Sequence, residues 1–135
     1  LDREINYEKL VQATLAIQNG AAFVATNVDT NLPNERGMLP GAGTLVAALR
    51  TAVQKDPVVV GKPETIIMNG ALELTGLTAD QVVMVGDNYN TDIRAGLNAG
   101  IDTLLVYTGV STKEQVAQEA QQPTHEVDSL DDWDI

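Results

Sequence analysis

Apolar side chains at Leu10, Val11, Leu15 and Ile17, followed by Gly20, predict an amphipathic helix over residues 7–19. The segment AAFVATN (21–27) predicts a short strand. Residues 28–43 hold two prolines, three glycines and several turn formers, and predict a long loop. Loops of that length in a compact domain are often binding loops. A second helix is expected over 43–55, and PVVVG (57–61) reads as a strand. Residues 62–76 predict a third helix, with Pro63 in its first turn, Glu64 at its positive end and Gly76 as its stop. QVVMVG (81–86) shows no polar alternation, as expected of a parallel strand covered on both faces. TDIRAGLNAG (91–100) predicts a short helix whose Ala95, Gly96, Ala99 and Gly100 permit close packing on a sheet. DTLLVYTG (102–109) is a further buried strand. STKEQVAQEA (111–120) opens with Ser111 and Glu114 at capping-box spacing. HEVDSL (125–130) reads as an edge strand, and Trp133 as the cover of a core edge. Helices and strands alternate throughout, which argues for an α/β fold with a parallel sheet and crossover helices.

Composition narrows the class. The chain has 135 residues, of which 44% are hydrophobic, as in ordinary globular domains. It has no cysteine, which excludes a disulfide framework or thiolate metal site and fits a reducing, cytoplasmic compartment. The formal net charge of −11 repels phosphate backbones and anionic lipid, which argues against nucleic-acid or membrane partners. A phosphorylated ligand would need a local cation or lysine to overcome that field. No apolar run approaches bilayer length, and the charged start LDREINYEKL has no signal-peptide pattern. It also has no initiator Met, so a processed chain or a piece of a longer one is expected.

The chemistry concentrates at strand ends. Asp87 directly follows the strand 81–86, and Asp92 lies five residues on, at the start of the next helix. In parallel sheets ligands bind at the carboxyl ends of strands. Two carboxylates held there can share one Mg²⁺, which takes carboxylates, waters and phosphate oxygens. The same spacing suits an Asx turn at Asp87 and a helix-terminal acid at Asp92, and the residues alone leave both readings open. Lys62 also stands between a strand and a helix, where its ammonium can reach the sheet's carboxyl edge; alone it reads as a surface lysine. PGAGT lacks the ending of a P-loop, and VGKPE has Pro where that motif needs Ser or Thr. His125, the single histidine, reads as structural, so no Ser-His-acid triad can form.

Together, VGKPETIIMNGAL, VVMVGDNYNTDIRAGLNAGI and TLLVYTGVST resemble the haloacid dehalogenase superfamily, and most closely its NagD-like, p-nitrophenyl-phosphatase-like branch with a large C2-type α/β cap. FVATNVDTNLPNERGMLPGAGTLVAAL resembles the second half of that cap. The resemblance implies part of a Rossmannoid parallel-sheet core over residues 57–135 with part of a cap over 1–56. It implies a phosphatase of small phosphorylated metabolites, sugar phosphates or nucleoside monophosphates, working through an aspartyl-phosphate with Mg²⁺ as cofactor. By the same resemblance Lys62 is a catalytic residue steadying the nucleophile and phosphoryl charge. Asp87 ligates Mg²⁺, and Asp92 ligates it through water or orients the lysine. Asn27, Asp29 and Asn88 are substrate-binding candidates, and the cap's sheet edge is a plausible homodimer surface.

One departure limits this. The family's nucleophile lies in an Asp-x-Asp-Gly motif, and the only Asp-x-Asp here falls in DDWD (131–134), in the wrong place and without the glycine. The chain therefore resembles the C-terminal half of such an enzyme. By itself it is expected to be inactive and to leave sheet edges exposed. A catalytically inactive module that binds metal, phosphate or a protein partner is the alternative. A receiver-like or nucleotide-binding domain is a third, but AAFVATNVDT supplies neither an acidic cluster nor a Gly-rich turn.

Overall fold

The computed structural model describes residues 2–134. The chain divides at the Val60–Gly61 junction into two compact units.

In the first unit, helix α1 (Tyr7–Gln18) starts at Asn6, whose side chain accepts a hydrogen bond from the Lys9 N–H at 3.0 Å. It packs on α2 (Ala42–Val53). Strand β1 (Val24–Ala25) pairs in parallel with β4 (Val58–Val59). Phe23 and Ala25 are buried while Val24 and Val58 are exposed, the two-residue alternation of a strand. The expected loop 28–43 is instead largely an antiparallel hairpin, β2 (Asn31–Asn34) with β3 (Gly37–Pro40). Asn34 and Gly37 pair across the turn, where Asn34 Oδ1 accepts from the Arg36 N–H and Gly37 takes a φ of +117°. Its strands are almost wholly exposed, so the backbone ladder holds it without an apolar face to signal it in the sequence.

In the second unit, β5 (Val83–Gly86), β6 (Asp102–Val106) and β7 (His125–Val127) form a parallel sheet in that order. Strand β6 is central, with Thr103, Leu104 and Leu105 fully buried. Helix α3 (Thr65–Thr75) packs on α4 (Arg94–Ala99), and α4 packs on the sheet. A Cβ on Gly96 would run into Thr103 and Met84, so the small residues of α4 do serve close packing. Tyr89, Ile93, Leu105 and Val116 form the core cluster.

Several element boundaries differ from expectation. Helix α3 begins at Thr65, which leaves Pro63 outside it in a cis peptide with Lys62; Gly76 ends it as expected, at φ +69°. Helix α5 (Lys113–Val116) is shorter than expected, and its capping box is Thr112 with Gln115, not Ser111 with Glu114. The reason is that Ser111 is engaged elsewhere, with the loop after β5. Strand β5 is not covered on both faces: Val83 and Val85 are exposed, and β6 is its one paired neighbour among the described residues. Trp133 is half-buried and tilts against His125, with ring centroids 4.9 Å apart, which gives the histidine a packing role. Among the described residues, no helix is long and apolar enough to cross a membrane.

Candidate active site

Strand β5 delivers Gly86 and Asp87 to the carboxyl edge of the sheet, and the chain then turns through a π-helical segment, Tyr89–Ile93. The Asn88 carbonyl gathers the N–H groups of Thr91, Asp92 and Ile93 at 3.3, 2.8 and 3.4 Å. This wide turn, a form common at functional sites, carries Asp92 back beneath the strand end. There Asp92 Oδ2 accepts from the Asn88 N–H at 3.2 Å. Space for it exists because residue 86 has no side chain: a Cβ there would fall on the Asp92 carboxyl group. Gly86→Ala is therefore expected to destabilise the protein by about 1–3 kcal/mol, the usual cost of overpacking. Urea unfolding measures it; an unchanged midpoint would mean that the Asp92 turn yields freely.

Lys62 reaches this carboxylate. Its Nζ donates to Asp92 Oδ1 at 2.6 Å, with the Asp92 side chain 9% exposed and that of Lys62 41%. Asn98 Nδ2 donates to the Pro63 carbonyl at 3.0 Å, which fixes the backbone just after the lysine. The structure thus brings Lys62, Asp92, Asn88 and Asp87 together. Asp92 bonds backwards to Asn88 and across to Lys62, and does not cap α4.

Asp87 is gripped from the loop after β6. Its Oδ2 accepts from the Val110 N–H at 3.0 Å and its carbonyl from the Ser111 N–H at 3.0 Å. Its carboxylate is thus held by a residue 23 positions away and makes no local Asx turn. Asn88 makes such a turn, its Oδ1 accepting from the Asn90 N–H at 3.0 Å. Gly109 and Val110 carry no chemical signal in the sequence, and Ser111 reads there only as a helix cap. Their position directly after a buried parallel strand, at the same edge as Asp87, is the signal that could have found them. The ends of this loop are tied down. Tyr107 Oη donates to Glu126 Oε2 at 2.6 Å, and Lys113 pairs with Asp128 while its ammonium sits 5.4 Å from the centre of the Tyr107 ring. Burial, then the bond to Glu126, pushes the Tyr107 phenol up, so it remains a neutral donor at neutral pH.

Asn27 and Asp29 lie in the other unit, on the loop after β1. Asn27 Oδ1 accepts from the Asp29 N–H at 3.3 Å, and the exposed Asp29 carries a carbonyl that accepts from the Gly43 N–H at 2.8 Å. A Cβ on Gly41 or Gly43 would strike the backbone of residues 28 and 29. The glycines of PGAGT thus let α2 press against this loop.

The donor set can be matched to a metal. Both Asp92 oxygens are committed, one to Lys62 and one to Asn88. Asp87 Oδ1 accepts no hydrogen bond among the described residues and offers one free hard oxygen. No group of three His, Cys, Asp or Glu converges among those residues. One or two carboxylates with room for waters and ligand oxygens fit Mg²⁺ and do not make a zinc site.

Residues 59–133 match the family model described as HAD-hydrolase-like. The chain is 50% identical over 133 residues to the 5'-nucleotidase YutF of Bacillus subtilis (98% of this chain, 52% of that protein). It is 47% identical over 132 residues to an acid sugar phosphatase of Staphylococcus saprophyticus (98% and 51%). Among solved structures it is similar to a double mutant of the thermostable NPPase from Geobacillus stearothermophilus (TM-score 0.92, 51% identity, 99% of this chain and 53% of that one). It is also similar to the p-nitrophenyl phosphatase from Archaeoglobus fulgidus (TM-score 0.89, 39% identity, 98% and 52%). The chain spans about half the length of the curated relatives it matches.

Proposed function

The chain belongs to the HAD-hydrolase-like family, and on that premise we propose that it carries part of the active site of a Mg²⁺-dependent phosphatase of small phosphate monoesters. The observation that carries this reading is the ion pair of Lys62 with the buried Asp92, beside an Asp87 with one oxygen free. In a chain of net charge −11, that ammonium supplies the local positive charge a phosphate needs.

The hydrogen bonds support a role for each residue. An ammonium has three donors; Asp92 holds one, which leaves Lys62 free to meet a phosphoryl oxygen. Asp92 aims the lysine and, in this reading, meets the cation through water. Asp87 presents Oδ1 to the cation, and Asn88 lies beside it as a substrate contact. Mg²⁺, when bound, supplies neutralisation of the phosphoryl charge. Phosphoryl transfer needs little beyond positioning and such charge stabilisation. In this reading an aspartate carboxylate attacks phosphorus, the ester oxygen leaves, and water then hydrolyses the acyl phosphate. This sequence contains no Asp-x-Asp-Gly, so the reading places the attacking aspartate outside it, on a strand beside β5. Among the described residues β5 pairs with β6 alone, and its open edge supports that placement.

The substrate class proposed is nucleoside monophosphates or sugar phosphates, supported by relatives named as a 5'-nucleotidase and an acid sugar phosphatase. Asn27 and Asp29, on a loop braced by Gly41 and Gly43, are proposed to choose among them. Asn27→Ala is expected to shift the ratio of kcat/KM between a sugar phosphate and a nucleoside monophosphate several-fold, with kcat on p-nitrophenyl phosphate little changed. An unaltered ratio would remove Asn27 from the specificity loop. The reading as a whole is tested by p-nitrophenyl phosphate hydrolysis by the full-length protein, with Mg²⁺ and after chelation. Turnover that depends on Mg²⁺ is expected; none in either condition would overturn it.

A further inference from the structure

We propose that Gly109, Val110 and Ser111 act as a positioning clamp on Asp87, holding one carboxylate oxygen so that the other is presented to the divalent cation. The inference rests on the reading of Asp87 as a metal ligand and deepens it. A carboxylate that rotates freely about χ2 offers either oxygen in many orientations. Here the Val110 N–H fixes Oδ2 at 3.0 Å, and the Ser111 N–H fixes the Asp87 carbonyl at 3.0 Å. The Ser111 hydroxyl adds a third hold on the same segment: its Oγ accepts from the Tyr89 N–H at 2.8 Å. Ser111 is itself buried, so this hydroxyl does not exchange freely with water. Gly109 completes the clamp by lacking a side chain, because a Cβ there would overlap the Asp87 carboxyl group. The loop is stiffened on both sides, by Tyr107 with Glu126 before it and Lys113 with Asp128 after it. Such outer contacts orient a ligand oxygen without touching the metal.

Two variants of the full-length protein test the clamp. Gly109→Ala drives a methyl into the carboxylate, and Ser111→Ala removes only the hydroxyl bond to Tyr89. The probe is Mg²⁺ alone, titrated calorimetrically without substrate, alongside thermal unfolding of the metal-free protein. Loss of an outer-shell contact lowers metal affinity by about 10–100-fold, and Gly109→Ala is expected near the upper end and Ser111→Ala near the lower. At saturating Mg²⁺, Ser111→Ala is expected to recover most of its kcat, which a merely structural defect would not allow. Asp87→Asn is titrated in parallel. If it abolishes Mg²⁺ binding while both loop variants bind Mg²⁺ as the parent does, the clamp is overturned and the metal assignment stands. If Asp87→Asn itself binds Mg²⁺ normally, the metal assignment fails and the clamp fails with it. A drop in unfolding temperature with unchanged affinity would make the loop structural only.

Discussion

Asp87→Asn in the full-length protein is expected to weaken Mg²⁺ binding by about 100-fold or more, at or beyond the upper end of what losing a supporting contact costs. The geometry explains why so small a change should matter. The two carboxylate oxygens differ: Oδ2 accepts from the Val110 N–H, and Oδ1 accepts from no group among the described residues. An asparagine has one oxygen and one NH₂. If its oxygen keeps the Val110 bond, the NH₂ group points at the cation. If its oxygen faces the cation, the NH₂ group opposes the Val110 N–H, donor against donor. Either arrangement loses one interaction, and both lose the charge. The variant should fold, since it removes one acid from a chain with a net charge of −11. The expected kinetic signature is a Mg²⁺ activation curve for p-nitrophenyl phosphate displaced to higher metal, with partial recovery at high concentration. An undisplaced curve would remove Asp87 from the metal site.

The parts of this site carried by periodicity were legible in the sequence. The apolar run Val82–Val85 predicts strand β5, and a strand ending in Gly-Asp puts Asp87 at the sheet's carboxyl edge. The small residues of the next segment predict a helix pressed to the sheet, and Gly96 against Thr103 shows that contact. What was not legible has no periodic signal. The hairpin 31–40 is nearly all exposed and carries Pro33 and Pro40, so neither alternation nor β-propensity marks it. The π-helical turn differs from an ordinary helical start by one residue of hydrogen-bond register at the Asn88 carbonyl. The grip of Val110 on Asp87 is a backbone bond across 23 positions, which any residue but proline could donate. Even the displaced capping box has this character, since Ser111 and Thr112 are both suitable caps and tertiary demand on Ser111 decides between them.

Lys62→Met should separate the lysine's proposed part in turnover from its pairing with Asp92. Methionine preserves most of the length and removes the charge. Turnover of p-nitrophenyl phosphate is expected to fall by about 10²–10³-fold, the usual loss when one preorganised donor to developing charge is deleted. Stability should fall as well, because Asp92 keeps its Asn88 N–H bond but loses its cation at 2.6 Å. A fully buried pair broken in this way costs about 3–5 kcal/mol. Lys62 is 41% exposed and water softens the loss, so about 1–3 kcal/mol is expected, the range for a hydrogen bond to a charged group. Adding Asp92→Asn tells the two effects apart. The double variant no longer leaves a buried carboxylate without its cation, and its neutral amide oxygen can still accept from Asn88. Its urea midpoint is expected to recover most of what Lys62→Met lost, while turnover stays as low as in the single variant. Recovery of both would mean that the lysine serves only to neutralise Asp92. Recovery of neither would mean that the Asp92 carboxylate serves the turn after β5 by more than its pair with Lys62, through its bond to the Asn88 N–H.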